Sequence, residues 1–135
     1  FPNVEKFMND TVEKAKRDGY VTTMFGRRRY VPELTASNKM MQAAGRRIAM
    51  NTPVQGSAAD IIKIAMVKVY QRLRDEVPDA RLILQVHDEL IVECDVKDAD
   101  AAAKILSEEM TGACELKVPL TADVNRGDSW YDAKG

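Results

Sequence analysis

The chain has 135 residues, and 45% of them are hydrophobic, which is enough apolar material for one ordinary globular domain with a real core. No apolar run is long enough to span a membrane, and no signal-peptide pattern opens the chain, so we expect no membrane span. The net charge of −1 hides an asymmetry: residues 1–60 carry ten Lys/Arg against six Asp/Glu, and residues 61–135 carry ten against fifteen. A basic half that faces a polyanion and an acidic half that holds metal would produce this split, and so would two solvated faces.

The chain opens with a predicted helix. Pro2 suits a first helical turn, and Gly19 is a good residue just past a helix end. Between them, apolar residues recur at helical spacing: Val4, Phe7, Met8, Val12 and Ala15. Because the sequence starts at Phe1 and enters a helix at once, we expect a larger protein cut just before this helix.

The next stretch, GYVTTMFGRRRYVPEL (residues 19–34), is rich in β-branched and aromatic residues and predicts short strands or an irregular loop. It contains three successive arginines, Arg27, Arg28 and Arg29, flanked by aromatic residues. Phosphate binding suits such a cluster, because arginine donates to phosphate in bidentate fashion. A solvated basic loop is the alternative, and the sequence leaves both open.

Two helices are predicted around a proline. The first runs from about Ser37 to Met50 and ends before Pro53, because a following proline disfavours helical dihedrals at Thr52. The second begins with a capping-box pattern, Ser57-Ala-Ala-Asp60. Its apolar residues lie around much of its circumference, which predicts a buried central helix: Ile61, Ile64, Ala65, Met66, Val69 and Leu73.

Polar donors surround this proline. Arg47 and Asn51 are four residues apart and share a helix face, and Gln55 lies just past the proline. Minor-groove acceptors occur at every base pair, so such donors suit a protein that holds a duplex without reading its sequence. Alternatively, the donors satisfy exposed helix ends and backbone carbonyls.

A hairpin is predicted over Leu82–Glu93, where two hydrophobic runs are interrupted by His87, Asp88 and Glu89 with no glycine. Carboxylates at the end of a rigid strand suit Mg²⁺, which prefers oxygen ligands. A simple polar turn is the alternative.

The rest of the chain predicts a fourth helix over residues 97–112 and a last strand within residues 116–127, where Leu120, Ala122 and Val124 alternate. Cys94 and Cys114 lack the spacing of a zinc site and are predicted to be a buried pair of reduced thiols. We therefore predict an α+β fold in which helices pack against a small, mostly antiparallel sheet, as one unit over residues 1–135.

Three stretches occur in a specific order and spacing: residues 19–34, NTPVQGSAADIIKIAMVKV (51–69) and LQVHDELIVE (84–93). Together they closely resemble the C-terminal part of the polymerase domain of bacterial family A DNA polymerases, and the resemblance covers essentially the whole chain. Single-subunit phage RNA polymerases share the His-Asp pair, but Glu89 and the PVQGSAAD context fit the DNA enzymes better. The fold implied is a partial polymerase palm that carries a catalytic hairpin.

The resemblance implies roles for the predicted site residues. Asp88 would bind the catalytic magnesium ions, two in the complete enzyme, with Glu89 as a supporting acid and His87 near the primer terminus. Arg47, Asn51 and Gln55 would contact primer-template DNA. Gln55 would do so in the minor groove, behind the insertion site. For Arg27, Arg28 and Arg29 the resemblance implies a general DNA-facing role.

The activity implied is DNA-directed DNA polymerisation from dNTPs, in replication and repair in the bacterial cytosol. The family's first motif, with the other catalytic aspartate, and its nucleotide-binding fingers helix do not occur in these 135 residues. We therefore expect an incomplete enzyme that is inactive without the remainder of the polymerase chain. A non-catalytic duplex-DNA-binding module and a structural fragment without activity are the alternatives.

Overall fold

The computed structural model of the protein describes residues 1–134, which divide into two compact units, residues 1–60 and the residues from Ile61 onward. The boundary coincides with the change in charge between the two parts of the sequence. Among the described residues, no helix is both long and apolar enough to cross a membrane. The α+β class is confirmed, because the helices are accompanied by two antiparallel strand pairs.

The first unit opens with helix α1 (Pro2–Asp18), as predicted, and Gly19 ends it in the left-handed conformation with φ 82°. Strands β1 (Tyr20–Thr22) and β2 (Arg28–Tyr30) follow as an antiparallel pair. Of the predicted apolar face of α1, Val12 and Ala15 are buried. The three residues nearer the start of the helix are exposed: Val4, Phe7 and Met8. The core of this unit is a compact cluster: Val12, Ala15, Val21, Val31, Leu34 and Ala49.

Helix α2 (Lys39–Asn51) begins at Asn38, whose side-chain oxygen accepts a hydrogen bond from the Met40 N–H at 2.8 Å. Gly45 is buried on this helix where α2 packs against the 3₁₀ turn Pro32–Thr35. A Cβ at Gly45 would lie 2.8 Å from the Leu34 backbone nitrogen. Glycine therefore permits a contact between backbones that no side chain would allow.

The predicted helix break at Pro53 is wrong. Thr52 has helical dihedrals (φ −59°, ψ −44°), and residues Thr52–Gly56 form a π-helical turn that leads directly into helix α3 (Ser57–Glu76). A π turn widens the backbone locally, so it accommodates the proline ring that would clash in a regular α-helix. The predicted capping box is wrong for the same reason, because Ser57 lies inside a continuous helical path.

The second unit contains α3 from Ile61 onward, the hairpin of β3 (Arg81–Val86) and β4 (Glu89–Glu93), helix α4 (Ala99–Thr111) and the short helix α5 (Trp130–Ala133). The predicted burial of α3 holds at Ala65, Val69 and Leu73. The other predicted positions are half-buried: Ile61, Ile64 and Met66. The core of this unit is a buried cluster: Val69, Leu73, Val77, Ala80, Ala102 and Ile105. The hairpin packs against this cluster through Leu82, Leu90 and Val92, which are partly buried.

One charged side chain also links these helices. Arg72 of α3 contacts the Glu108 carboxylate of α4 at 2.6 Å and Glu76 one turn along α3 at 2.6 Å. The hydrogen bond from Arg72 lowers the pKa of Glu76.

The predicted last strand is wrong, since residues 116–127 contain no strand. Alternation alone does not make a strand, because a strand needs a neighbour to receive its backbone hydrogen bonds. Pro119 also removes one donor from the stretch. Its end is held instead by an ion pair between Arg126 and Asp100 at 2.9 Å.

Candidate functional site

An open cleft of about 360 Å³ lies in the first unit. Side chains from the predicted DNA-binding set line it: Arg27, Arg29, Arg47, Asn51 and Gln55. The last three are spaced by four residues, and the helical path through Thr52–Gly56 keeps them on one face. Gln55 therefore continues the α2 face rather than lying beyond a break.

Four of the side chains that bring donors to this cleft have no internal partner among the described residues. Within residues 1–134, no side-chain hydrogen bond or ion pair is formed by Arg29, Arg47, Asn51 or Gln55. The alternative in which Arg47, Asn51 and Gln55 satisfy helix ends or backbone carbonyls therefore has no support from the described contacts. These amide and guanidinium groups are available to an external acceptor.

The three consecutive arginines have different surroundings. Arg27 Nε donates to Asp60 Oδ1 at 2.7 Å, and its Nη2 donates to the Gly56 carbonyl oxygen at 3.4 Å. Arg28 lies over the Tyr20 ring, 4.4 Å from the ring centroid. Arg29 projects into the cleft without an internal partner among the described residues.

Ser57 lies where these elements meet. Its hydroxyl donates to the Pro53 carbonyl oxygen and accepts a hydrogen bond from the Met24 N–H at 2.9 Å. Ser57 thus connects the loop between β1 and β2 to the π-helical turn and has a structural role.

The second predicted site, in the second unit, is the hairpin turn. Val86 pairs with Glu89, so the turn consists of His87 and Asp88, and Glu89 is the first residue of β4. His87 takes a left-handed conformation with φ 52°, a region in which histidine is enriched several-fold over most non-glycine residues. The Gln85 side-chain amide donates to the His87 carbonyl oxygen at 2.8 Å and holds the turn. The hairpin was therefore predicted correctly, including a turn without glycine.

The carboxylates of Asp88 and Glu89 are exposed at this turn. Neither forms a hydrogen bond or an ion pair with another side chain in the described part of the chain. Two adjacent, unengaged carboxylates present the hard oxygen donors that a divalent cation such as Mg²⁺ prefers. The donor set at the turn therefore fits a divalent cation.

A second acidic group was not predicted from the sequence. One carboxylate oxygen from each of Asp79, Asp95 and Asp98 lies within 4.8 Å of the others. Asp95 and Asp98 lie close together in the sequence, but Asp79 precedes the hairpin, and the three follow no known ligand spacing. The group shares no residue with the hairpin turn, and exposed carboxylates often cluster without binding an ion.

Cys94 and Cys114 are free and only partly buried, so the predicted burial was too strong. Partial burial raises the pKa of the Cys94 thiol, and the charges of Asp98 and Asp95 add to that effect. A raised pKa keeps the thiol protonated and unreactive.

Comparison with known proteins gives consistent results along the whole chain. The chain is 48% identical to DNA polymerase I of Bacillus caldotenax and 50% identical to DNA polymerase I of Bacillus subtilis, over 99% of this chain and 15% of each relative. It is 48% identical to the thermostable DNA polymerase I of Thermus aquaticus, over 99% of this chain and 16% of that protein. The chain thus spans about 15% of the length of these relatives.

A solved structure shows the same fold. The polymerase domain of Pol1 from M. smegmatis, determined in complex with DNA primer-template and dNTP, matches all of this chain with a TM-score of 0.93 and 44% identity. The match covers 24% of that structure's chain. The family model for DNA polymerase family A matches residues 1–132, and the chain therefore belongs to DNA polymerase family A.

Proposed function

We propose that this chain forms the C-terminal palm region of a DNA-directed DNA polymerase, which transfers nucleotides from dNTPs to a primer 3′-hydroxyl as the template directs. The observation that carries the proposal is the cleft of the first unit, where donors from three successive helical turns have no internal partner among the described residues. Two comparisons support it: the relatives are DNA polymerases, and the similar solved structure contains primer-template DNA and a dNTP.

The cleft suits the minor groove of a duplex. Arg47, Asn51 and Gln55 follow one helical face, so their donors form a row. Every base pair offers acceptors in the minor groove, at N3 of purines or O2 of pyrimidines. A row of donors can therefore hold any primer-template pair equally, as a replicative enzyme requires.

Arg29 of the arginine cluster and Arg47 of α2 bring unpaired positive charge to the cleft. Arg29 offers unpaired guanidinium donors suited to phosphate, while Arg28 is fixed over Tyr20 beside it. The cluster Arg27, Arg28 and Arg29 as a whole has a general DNA-facing role, and Arg29 is its direct phosphate contact.

The hairpin turn is the proposed metal site. Asp88 would hold Mg²⁺, two ions in the complete enzyme, with Glu89 in support and His87 beside the primer end. When bound, such ions activate the attacking hydroxyl and neutralise charge on the leaving pyrophosphate. The chain's own contribution is to place the Asp88 carboxylate at a turn that a cross-strand pair and the Gln85 hydrogen bond keep rigid.

The proposed active site also needs residues outside this sequence. Two catalytic ions require carboxylates from separate chain segments, whereas the proposed site here includes only Asp88 and Glu89 from one turn. The relatives are more than six times longer than the chain, since it covers 15–16% of them. We propose that residues 1–135 work with the remainder of a polymerase chain, in DNA replication and repair in the bacterial cytosol.

Gln55→Ala is the direct test of the minor-groove contact. In the polymerase that contains this chain, we expect primer extension to fall by roughly fivefold, since a net hydrogen bond contributes about 1 kcal/mol. The loss should be similar for all four terminal base pairs, because the acceptor is common to them. Single-nucleotide extension on four matched templates measures this.

Gln71→Ala is the matched control, because Gln71 is an exposed glutamine of α3 with no side-chain partner in the described chain and does not line the cleft. A Gln55→Ala defect confined to one base pair would show that Gln55 reads sequence and would refute the proposed role.

A further inference from the structure

The π-helical turn Thr52–Gly56 carries Gln55 into the cleft. A π turn is a rare and locally less stable conformation than a regular α-helical turn. Contacts from outside the turn would therefore stabilise it and the position of the Gln55 side chain that it carries.

Those contacts come from the loop between β1 and β2. Thr23 and Arg27 close the loop with two hydrogen bonds, from Thr23 N–H to the Arg27 carbonyl oxygen at 2.9 Å and from Arg27 N–H to Thr23 Oγ1 at 3.3 Å. Gly26 has φ 83°, which glycine adopts without strain. The Arg27 side chain therefore projects from a well-defined loop.

The loop lies directly against the π-helical turn. A Cβ at Gly56 would lie 2.9 Å from Thr23 Cγ2, so the two segments touch where Gly56 has no side chain. The Arg27 side chain makes two hydrogen bonds next to this contact. Its Nη2 donates to the Gly56 carbonyl oxygen, and its Nε donates to Asp60 in the first turn of α3.

The Arg27–Asp60 pair is asymmetric. The Asp60 side chain is 10% exposed, whereas the Arg27 side chain is 52% exposed. A nearly buried carboxylate holds a guanidinium through a short charge-assisted hydrogen bond. The Nε and Nη2 donors of Arg27 are thus directed into the protein, in contrast to the unengaged donors of Arg29 and Arg47 in the same cleft.

We propose that Arg27 is a positioning residue, which supports primer-template binding by fixing the turn that carries Gln55 rather than by contacting DNA phosphate itself. The inference rests on the proposed function, because its effect is read as primer extension. Lysine cannot replace arginine here, since a single ammonium group does not reach both Asp60 and the Gly56 carbonyl with the geometry of a guanidinium.

The test is a double-mutant cycle in the complete polymerase that contains this chain. Arg27→Lys keeps the positive charge, and we expect it to lower kcat/KM for correct incorporation by roughly fivefold, the loss expected of Gln55→Ala. Both changes disrupt the same contact, the one between Gln55 and the DNA. The kcat/KM of the double variant should therefore be less than about twofold below that of Gln55→Ala alone. Asp60→Asn should reproduce the Arg27→Lys result, because it weakens the same anchor from the other side.

Arg17→Lys is the matched control, an exposed arginine of α1 with no side-chain partner in the described residues, and it should leave kcat/KM unchanged. A direct phosphate contact predicts different results. Arg27→Lys would then stay near wild-type, and Arg27→Ala would reduce the slope of log Kd against log salt concentration by about 1.

Independent losses that multiply to roughly 25-fold in the double variant would also overturn the inference. A purely structural role would lower the Tm of Arg27→Lys without this coupling to Gln55, and it too would overturn the inference. A wild-type polymerase that does not extend primers would instead refute the proposed function, so the two failures are distinguishable.

Discussion

Asp88→Asn is expected to nearly abolish primer extension by the polymerase that contains this chain, while DNA binding stays largely intact. Asparagine keeps the shape of aspartate but removes the negative charge that a hard divalent cation needs. Binding should persist, because the donors proposed to hold the duplex lie in the first unit and the hairpin turn lies in the second. Single-turnover incorporation at saturating Mg²⁺ should fall by several orders of magnitude.

Asp123→Asn is the matched control for this change, since Asp123 is an exposed aspartate of the same unit with no side-chain partner in the described chain. It should extend primers at the wild-type rate. A loss of less than roughly tenfold in Asp88→Asn, about 1.4 kcal/mol of barrier, would contradict the assignment of Asp88 as a metal ligand.

Gly45→Val is expected to destabilise the fold by at least about 2 kcal/mol, within the range that overpacked sites show. A Cβ at this position would meet the Leu34 backbone nitrogen at 2.8 Å and the Glu33 carbonyl carbon at 3.0 Å, and backbone atoms cannot move aside as a flexible side chain can. We expect the Tm to fall by roughly 8 °C, as measured by circular dichroism.

Ala43→Val, at an exposed position of the same helix, measures the cost of a valine on α2 where no backbone lies against it. The control should lose well under 1 kcal/mol. Equal losses in the two variants would show that the contact between α2 and the Pro32–Thr35 turn is not tightly packed.

Local sequence patterns predicted the parts of the fold that local physics determines. Helix α1 is bounded by Pro2 and Gly19, and both limits were predicted because each residue has one strong conformational preference. The hairpin was also predictable, since its two apolar runs flank a short polar turn. Arg47 and Asn51 share a face because they lie four positions apart on a helix.

The errors arose where distant residues decide the local structure. The rule for residues before proline predicted a break at Thr52, but the helical path continues through a π turn. Arg27 contacts that turn at the Gly56 carbonyl, and Met24 contacts Ser57 directly after it. The Arg27–Asp60 pair links residues 33 positions apart, and no sequence pattern marks it. The prediction of a last strand was wrong for a related reason, because an alternating sequence pattern does not provide a neighbouring strand to pair with.

The candidate site was predicted from two different sources. Spacing alone identified the donors and the acidic turn but left alternatives open for each. The resemblance to family A polymerases selected one reading, and the family itself is confirmed. The unengaged donors of the cleft support that interpretation independently of the resemblance, because they were identified from the described contacts of this chain alone.

The most direct test of the central claim is primer extension by two polypeptides, the complete polymerase that contains this chain and residues 1–135 alone. Each is assayed with Mg²⁺ and all four dNTPs, and an Asp88→Ala variant of each controls for contaminating host polymerase. We predict Asp88-dependent extension by the complete polymerase and none by residues 1–135, because the proposed site takes metal ligands from this chain at one turn only. Asp88-dependent incorporation by residues 1–135 alone, or Asp88-independent extension by the complete polymerase, would contradict the account.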